Sequence, residues 1–282
     1  MTYNELYQQG KRELRKAGVD TPAFDAVCLF SHCCGLDRAG LLMRGGEEAS
    51  KEQASAFLRC VKERASRRPL QYILGEWEFM GLPFFMGEGV LVPREDTEAL
   101  VRCAAQNLLH LETPAVLDLC AGSGAVSIGL CSLLPGARVT AAELSDRAFF
   151  YLEKNVERHR MDVTPVKLDV LHEELPGKSR FFDAIVSNPP YIPRGDLTAL
   201  QPEVQHEPAL ALDGGEDGML FYRAICERFL PLLKPGGFIA VEIGAGQALN
   251  VQNLFSAHGL QKIEIRRDLG KIERVVIGWR TS

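Results

Sequence analysis

From Pro114 onward the chain repeats one unit: a short apolar run, a polar or glycine-rich turn, then an amphipathic stretch. This rhythm restricts the fold more than any other feature. Val116–Leu119, Arg138–Ala142, Val163–Lys167 and Phe182–Ser187 read as strands, with helices expected at Ala125–Leu134 and Asp146–Arg158. Further on, Asp217–Leu233 reads as a helix, Phe238–Ile243 as an apolar strand and Gln247–Ala257 as a helix, before two closing strands near 260–266 and 273–279. Strands separated by helices lie parallel, with helices on both faces. The expected class is therefore α/β, and ligands of such sheets sit at the carboxyl ends of the strands.

The first stretch has a different pattern. Thr2-x-x-Glu5 and Ser50-x-x-Gln53 fit the capping box, and Thr21-Pro22 fits an N-cap followed by proline at the first helical position. Behind these signals Leu6 with Leu14, Val27 with Phe30, and Phe57 with Leu58 and Val61 recur at helical spacing. A small helical bundle is expected over 1–75. Its basic residues Arg59, Lys62, Arg64, Arg67 and Arg68 read as a solvated helix face. From 76 to 93, β-prone pieces broken by glycine and proline predict a hairpin linker, including Val90-Leu91-Val92. A helix from about Glu95 to His110 opens the sheet domain, which spans 94–282.

A hydrophobic fraction of 46% and a charged fraction of 24% are ordinary for a globular protein. With a net charge of −5 and basic residues interleaved among acids, no stripe announces a nucleic-acid partner, and sequence-specific binding to nucleic acid is not expected. No apolar run is long enough to span a bilayer, and Met1–Glu5 is polar without a signal-peptide core, so a cytoplasmic protein is expected. The eight cysteines show no paired Cys-x-x-Cys spacing and read as reduced thiols, with no metal site expected.

Two constellations carry chemistry. Asp118-Leu119-Cys120-Ala121-Gly122-Ser123-Gly124 occupies the turn from the first strand to its helix, where glycines let backbone amides approach a ligand and the helix N-terminus favours an anionic group. Glu143, about 20 residues beyond the glycines, is placed to accept both hydroxyls of a ribose. A nicotinamide dinucleotide would share these two features, but the third glycine position of its motif is Ser127 and the loop offers little else for a pyrophosphate. S-adenosylmethionine, which has a ribose and no phosphate, fits better. Asp169 is placed to meet the adenine amino group with Val170 beside the ring; the plainer reading of Asp169 is a turn residue.

The second constellation is Asn188-Pro189-Pro190-Tyr191, directly behind the strand Phe182–Ser187. It could be only a stiff turn. It also offers a side-chain carbonyl at Asn188, a backbone carbonyl at Pro189 in a segment with locked φ, and an aromatic face at Tyr191. Those are the acceptors needed to hold a conjugated NH2 group for alkylation.

These residues, with Lys234-Pro235-Gly236-Gly237, resemble the Rossmann-like S-adenosylmethionine-dependent methyltransferases. Arg68–Gly75, Val92–Glu98, Glu203-Val204, Glu207–Leu210, Gly214–Gly218 and Asp268–Val276 narrow the resemblance to the peptide-chain release factor glutamine methyltransferases, from about residue 65 onward. The resemblance implies methylation of the side-chain amide nitrogen of the glutamine in the Gly-Gly-Gln motif of class I release factors, with S-adenosylmethionine as donor. It implies a substrate-docking role for the N-terminal helices. It also implies that Asp118, Cys120, Ala121, Gly122, Ser123, Gly124, Glu143, Asp169, Val170 and Asn188 surround the cofactor, while Asn188, Pro189, Pro190 and Tyr191 meet the glutamine. One position departs from the pattern: Cys120 stands where the family usually has glycine, and its Cβ is expected to affect cofactor affinity rather than binding mode. Three other readings stand beside this one. They are a ribosomal-protein glutamine methyltransferase, an adenine amino-methyltransferase, and a binding module without activity.

Overall fold

The structure, a computed structural model, describes residues 1–175 and 181–281. The chain divides into two compact units, one of Met1–Trp77 with Gln201–His206, the other of Glu78–Leu200 with Glu207–Ser282.

The first unit holds five helices, α1 (Tyr3–Lys16), α2 (Pro22–Cys34), α3 (Arg38–Arg44), α4 (Lys51–Ala65) and α5 (Leu70–Leu74). Both expected capping boxes form, Thr2 with Glu5 and Ser50 with Gln53. Thr21 precedes α2 but makes no cap bond; its hydroxyl donates instead to Asp25 Oδ1 at 2.7 Å. Leu6, Leu14, Leu29, Phe30, Phe57 and Val61 are buried together, with Phe30 edge-on to both Tyr3 and Phe57. The basic patch is not a uniformly solvated face. Arg64 is buried, and its guanidinium bridges Asp25 at 2.6 Å and Glu203 at 2.7 Å, while Arg67 also reaches Glu203 at 2.7 Å. A planar fork of donors can serve two carboxylates at once, which is why an arginine can occupy the inner face of α4.

The strands β1 (Glu76–Phe79) and β2 (Leu82–Phe85) form a two-stranded hairpin. Its two turn residues, Met80 and Gly81, have φ of 53° and 76°, the left-handed pair that matches the twist of the flanking strands. Val90-Leu91-Val92 forms no strand; the N–H of Val92 is taken by the Glu207 carboxylate at 3.0 Å rather than by a neighbouring strand.

In the second unit a short 3-10 turn, Glu95–Thr97, leads into α6 (Glu98–Leu108). Then follow β3 (Ala115–Leu119), α7 (Ala125–Leu133), β4 (Arg138–Glu143), α8 (Asp146–His159), β5 (Val163–Lys167) and β6 (Phe182–Ser187). The remaining elements are α9 (Leu220–Ala224), β7 (Leu233–Glu242), α10 (Ala248–Ala257), β8 (Gln261–Arg267) and β9 (Glu273–Trp279). The seven strands lie in the order β5-β4-β3-β6-β7-β9-β8, parallel except for β9, which runs against both neighbours. Pro165 sits in β5, an edge strand, where a missing N–H is tolerated. The helix expected over Asp217–Leu233 is shorter and irregular: glycines with positive φ at 215 and 218 delay its start to Leu220, and it passes through a π-turn at Ile225–Phe229 before a 3-10 turn holding Pro231.

Register places the site. Leu119 pairs with Ala142 on one side and Ser187 on the other, and Ser187 pairs with Val241. The next residues along these strands, Glu143, Cys120, Asn188 and Glu242, therefore share one rim. The order of connection reverses between β3 and β6, and in open α/β sheets ligands bind at that switch point.

Candidate active site

The loop 120–124 turns sharply because every second residue is left-handed, with φ of 61° at Cys120, 58° at Gly122 and 83° at Gly124. Gly124 has a second constraint: a Cβ there would stand 2.7 Å from Leu152 Cδ1 on α8. The loop is secured from both sides. The N–H of Ala121 donates to Ala142 O at 2.9 Å. The fully buried Asn155 amide donates to Ser123 O at 3.0 Å and accepts from Phe85 N at 2.7 Å.

Glu143 ends β4 beside this loop, accepting from Gly122 N at 2.8 Å and Ser145 N at 2.7 Å. Burial raises its pKa, and those two amides with Leu144 N partly oppose the shift. Each carboxylate oxygen keeps a second acceptor direction for a ligand. Asp118 lies beneath the loop rather than in the cleft. Its Oδ2 accepts from Ser127 Oγ at 2.5 Å, its Oδ1 has no partner, and burial pushes the acid up to about 7.

A cleft lined by the ends of these strands opens above this rim. Cys120, Ala121, Gly122, Ser123, Glu143, Asp169, Val170 and Asn188 all line it. Among the described residues, its charged lining is two carboxylates, Glu143 and Asp169, without lysine or arginine. That charge pattern suits a ribose diol and a cationic centre; it gives a pyrophosphate nothing to neutralise it. The residues present therefore fit S-adenosylmethionine and do not fit a dinucleotide. Asp169 is a turn residue as well as a lining one. Burial would raise its pKa, but bonds from the His172 ring and the Leu171 N–H outweigh burial and hold it low.

Cys120 lines the cleft in a conformation that disfavours a Cβ. A left-handed residue with a side chain costs roughly 1–2 kcal/mol, and glycine returns about 0.5–1 kcal/mol of that through unfolded-state entropy. Cys120→Gly is therefore expected to stabilise the chain by about 0.5–1 kcal/mol in urea unfolding. A loss of stability would show that the thiol's packing outweighs the backbone strain.

Asn188 and Pro190 line the same cleft; Pro189 and Tyr191, expected to meet the substrate there, are not among its lining residues, and Tyr191 packs against the core with its hydroxyl toward Glu242. The segment is held at both ends: Ser187 Oγ donates to Leu119 O at 2.6 Å, and Gln247 Nε2 donates to Tyr191 O at 2.9 Å. Gly214 packs so closely that a Cβ would lie 2.7 Å from the Tyr191 carbonyl carbon. Asn188 Nδ2 donates to Thr97 Oγ1 at 3.2 Å, which leaves Oδ1 as the end of the amide for the cleft. The Tyr191 hydroxyl lies 3.4 Å from Glu242 Oε1; burial, then the Glu242 charge, pushes the phenol up to about 12.

Residue-by-residue reading missed part of the wall. Leu91, Pro93 and Thr97 line the cleft, as do Pro208 and Leu210. Glu207 ties the two stretches by accepting from Val92 N and pairing with Arg94. All but Leu91 fall in segments that the resemblance had singled out, which was the available signal. Among the described residues, no group of three or more His, Cys, Asp or Glu is placed to hold a metal ion, and no single helix is long and apolar enough to cross a membrane.

Comparison with known proteins agrees with this geometry. Residues 5–75 match the family model described as PrmC N-terminal domain, and residues 95–212 match Methyltransferase small domain. The release factor glutamine methyltransferase of Geobacter sulfurreducens is 44% identical over 266 residues, covering 94% of this chain and 92% of that protein. That of Deinococcus radiodurans is 37% identical over 276 residues, covering 98% of each. A methyltransferase crystal structure from Pyrococcus furiosus aligns with a TM-score of 0.52 at 20% identity over 72% of this chain and 91% of that one, a likeness of fold alone.

Proposed function

The chain belongs to the release factor glutamine methyltransferase family, and on that premise we propose that its rim of strand ends holds a glutamine carboxamide of a class I release factor for N-methylation. The enzyme is an S-adenosylmethionine-dependent protein-glutamine N5-methyltransferase. The finer reading concerns the target, the glutamine of the Gly-Gly-Gln motif, and the residues that act on it. The observation that carries it is the pose of Asn188, with Nδ2 tied to Thr97 and Oδ1 left for the cleft.

S-adenosylmethionine, when bound, supplies a methyl group already activated on a sulfonium. Glu143 would accept its ribose hydroxyls, Asp169 and Val170 would meet its adenine, and residues 120–124 would line its methionine end. The work left to the chain is orientation, an effect that can reach roughly 7–11 kcal/mol. An amide nitrogen is a poor nucleophile because its lone pair is delocalised into the carbonyl. The Asn188 Oδ1 and the Pro189 carbonyl accept its two hydrogens and hold the NH2 in one orientation. As the N–C bond forms at the expense of the donor's S–CH3 bond, nitrogen gains positive charge and its hydrogens become more acidic, so the same acceptors bind the transition state more tightly than the substrate, and the excess proton then leaves to water. Pro190, which lines the cleft, borders this position and helps exclude water, and Tyr191 backs the segment from the core side. The helical unit, residues 1–75, is the proposed docking platform for the protein substrate, the stretch 76–93 joins it to the catalytic domain 94–282, and such a substrate places the reaction in the cytoplasm.

The test uses the purified chain, labelled S-adenosylmethionine and a release factor with its Gly-Gly-Gln intact or with that glutamine changed to glutamate. Label is expected only on the intact factor. Equal labelling of both, or labelling only of ribosomal protein or DNA offered in parallel, would overturn the assignment. For the cofactor, Glu143→Ala is expected to weaken affinity at least about tenfold, since charge-assisted hydrogen bonds are worth about 1.5–3 kcal/mol. Unchanged affinity in a calorimetric titration would remove Glu143 from the ribose role.

A further inference from the structure

We propose that Gln247, at the start of α10, is a positioning residue that pins the far end of Asn188-Pro189-Pro190-Tyr191 and so fixes where the Asn188 amide and the Pro189 carbonyl stand. The inference rests on the reading of those two groups as acceptors and adds what holds them in place. Pro189 and Pro190 lock two φ angles, and each proline also restricts the residue before it. The segment therefore behaves as a short strut with little internal freedom, and its placement is decided at its ends. The near end is Ser187, fixed by the pairing of β6 with β3 and β7 and by its hydroxyl on Leu119 O at 2.6 Å. β6 stops there, so ladder pairing does not reach the Tyr191 end. Ile192, the next residue, bonds to Leu212 and Gly214 in a loop that needs anchoring of its own.

Gln247 supplies the tether from behind the cleft, which neither it nor Tyr191 lines. Its Nε2 donates to Tyr191 O at 2.9 Å and, at a longer 3.4 Å, to Gly218 O, while its Oε1 accepts from Gly244 N at 2.9 Å. One side chain thus joins the strut and the glycine loop to the end of β7. Backbone carbonyls only accept and backbone N–H groups only donate, so these partners admit a single orientation of the amide. The Tyr222 hydroxyl, 3.4 Å from Oε1, makes its shorter bond to Glu242 O at 2.9 Å and leaves that orientation unchanged. The space around the tether is as specific as its bonds. A Cβ at Gly218 would stand 2.6 Å from Gln247 Nε2, and one at Gly244 would stand 3.0 Å from Oε1 and 3.1 Å from Tyr191 Cδ2. Glycines at both positions let the amide reach the strut. Gln247 occupies the N-cap position of α10, yet its side chain makes no cap bond to that helix. Its hydrogen-bonding capacity goes to the strut instead.

The experiment is steady-state methylation of a release factor by the full-length chain carrying Gln247→Glu or Gln247→Met, each also made with Asn188→Ala, beside calorimetric titration of S-adenosylmethionine and thermal unfolding. Gln247→Glu keeps an acceptor for Gly244 N and loses the donor to Tyr191; Gln247→Met has a similar length, loses both and brings no charge. Each is expected to lower kcat about tenfold or more, because a displaced strut misaligns both acceptors, with S-adenosylmethionine affinity within about twofold of the parent chain. In the Asn188→Ala background either change costs at most about threefold more, because one of the two groups it aligns is gone. Parental kcat for Gln247→Met, cofactor affinity that falls in step with kcat, or the full loss repeated in the Asn188→Ala background overturns the positioning role while leaving the acceptor role of Asn188 standing. Parental kcat for Asn188→Ala overturns the acceptor role, and the positioning role with it.

Discussion

Asn188→Ala is expected to reduce turnover about 10²-fold or more and to leave S-adenosylmethionine affinity within a few-fold of the parent chain. The asymmetry follows from where charge changes during the reaction. In the ground state the substrate amide hydrogens are weakly acidic, and the bonds proposed for them to Asn188 Oδ1 and the Pro189 carbonyl would resemble those they make to water. As nitrogen acquires its fourth bond the same contacts become charge-assisted, which is the condition under which an acceptor raises kcat rather than only lowering KM. On the proposed reading cofactor affinity rests on a different part of the rim, the Glu143 carboxylate and the loop at 120–124, whereas among the described residues the Asn188 amide is tied to Thr97. Initial rates with labelled cofactor, set beside a calorimetric titration, separate the two quantities. A variant that keeps near-parental kcat would exclude Asn188 from the reaction. One that loses cofactor affinity in proportion would make it a pocket residue instead.

The parts of this site that were legible in the sequence are those where local chemistry and global fold demand the same residue. Glycines at 122 and 124 announce left-handed backbone, an acid at 143 ends a strand, and Asn188-Pro189-Pro190 breaks one; each is visible in a window of a few residues. Gln247 is the opposite case. It reads in sequence as the first residue of a helix, and what makes it informative is the fold that brings the Tyr191 and Gly218 carbonyls to its amide. Thr97 ends a 3-10 turn that reads in sequence as the first turn of an ordinary helix, so its hydroxyl has no visible purpose until β6 is assembled. The helix expected over Asp217–Leu233 departs from regularity for a related reason: its residues have helical periodicity, but the left-handed glycines at 215 and 218 and Pro231 act against it from both ends.

Arg64 shows how a long-range pairing can reverse a local expectation, and it carries the largest expected effect on stability. Read along α4 it is one of several basic residues at a helix end; in the folded unit its side chain is 6% exposed and faces Asp25 at 3% and Glu203 at 19%. Arg64→Leu would leave the Asp25 carboxylate buried with, among the described residues, the Thr21 hydroxyl donating to it, while Glu203 would keep Arg67. Removing one member of a buried ion pair typically costs about 3–5 kcal/mol, because the remaining charge stays desolvated. The two tryptophans make the measurement local, since Trp77 lies in the first unit and Trp279 in the second. In a Trp279→Phe background, urea unfolding followed by Trp77 fluorescence should show a markedly lower midpoint for Arg64→Leu. Adding Asp25→Asn should recover part of that loss, because the pair is then removed together rather than broken. Recovery is the discriminating result: a cavity or packing defect at Arg64 would give the same initial destabilisation, but it would not be relieved by neutralising a carboxylate on α2.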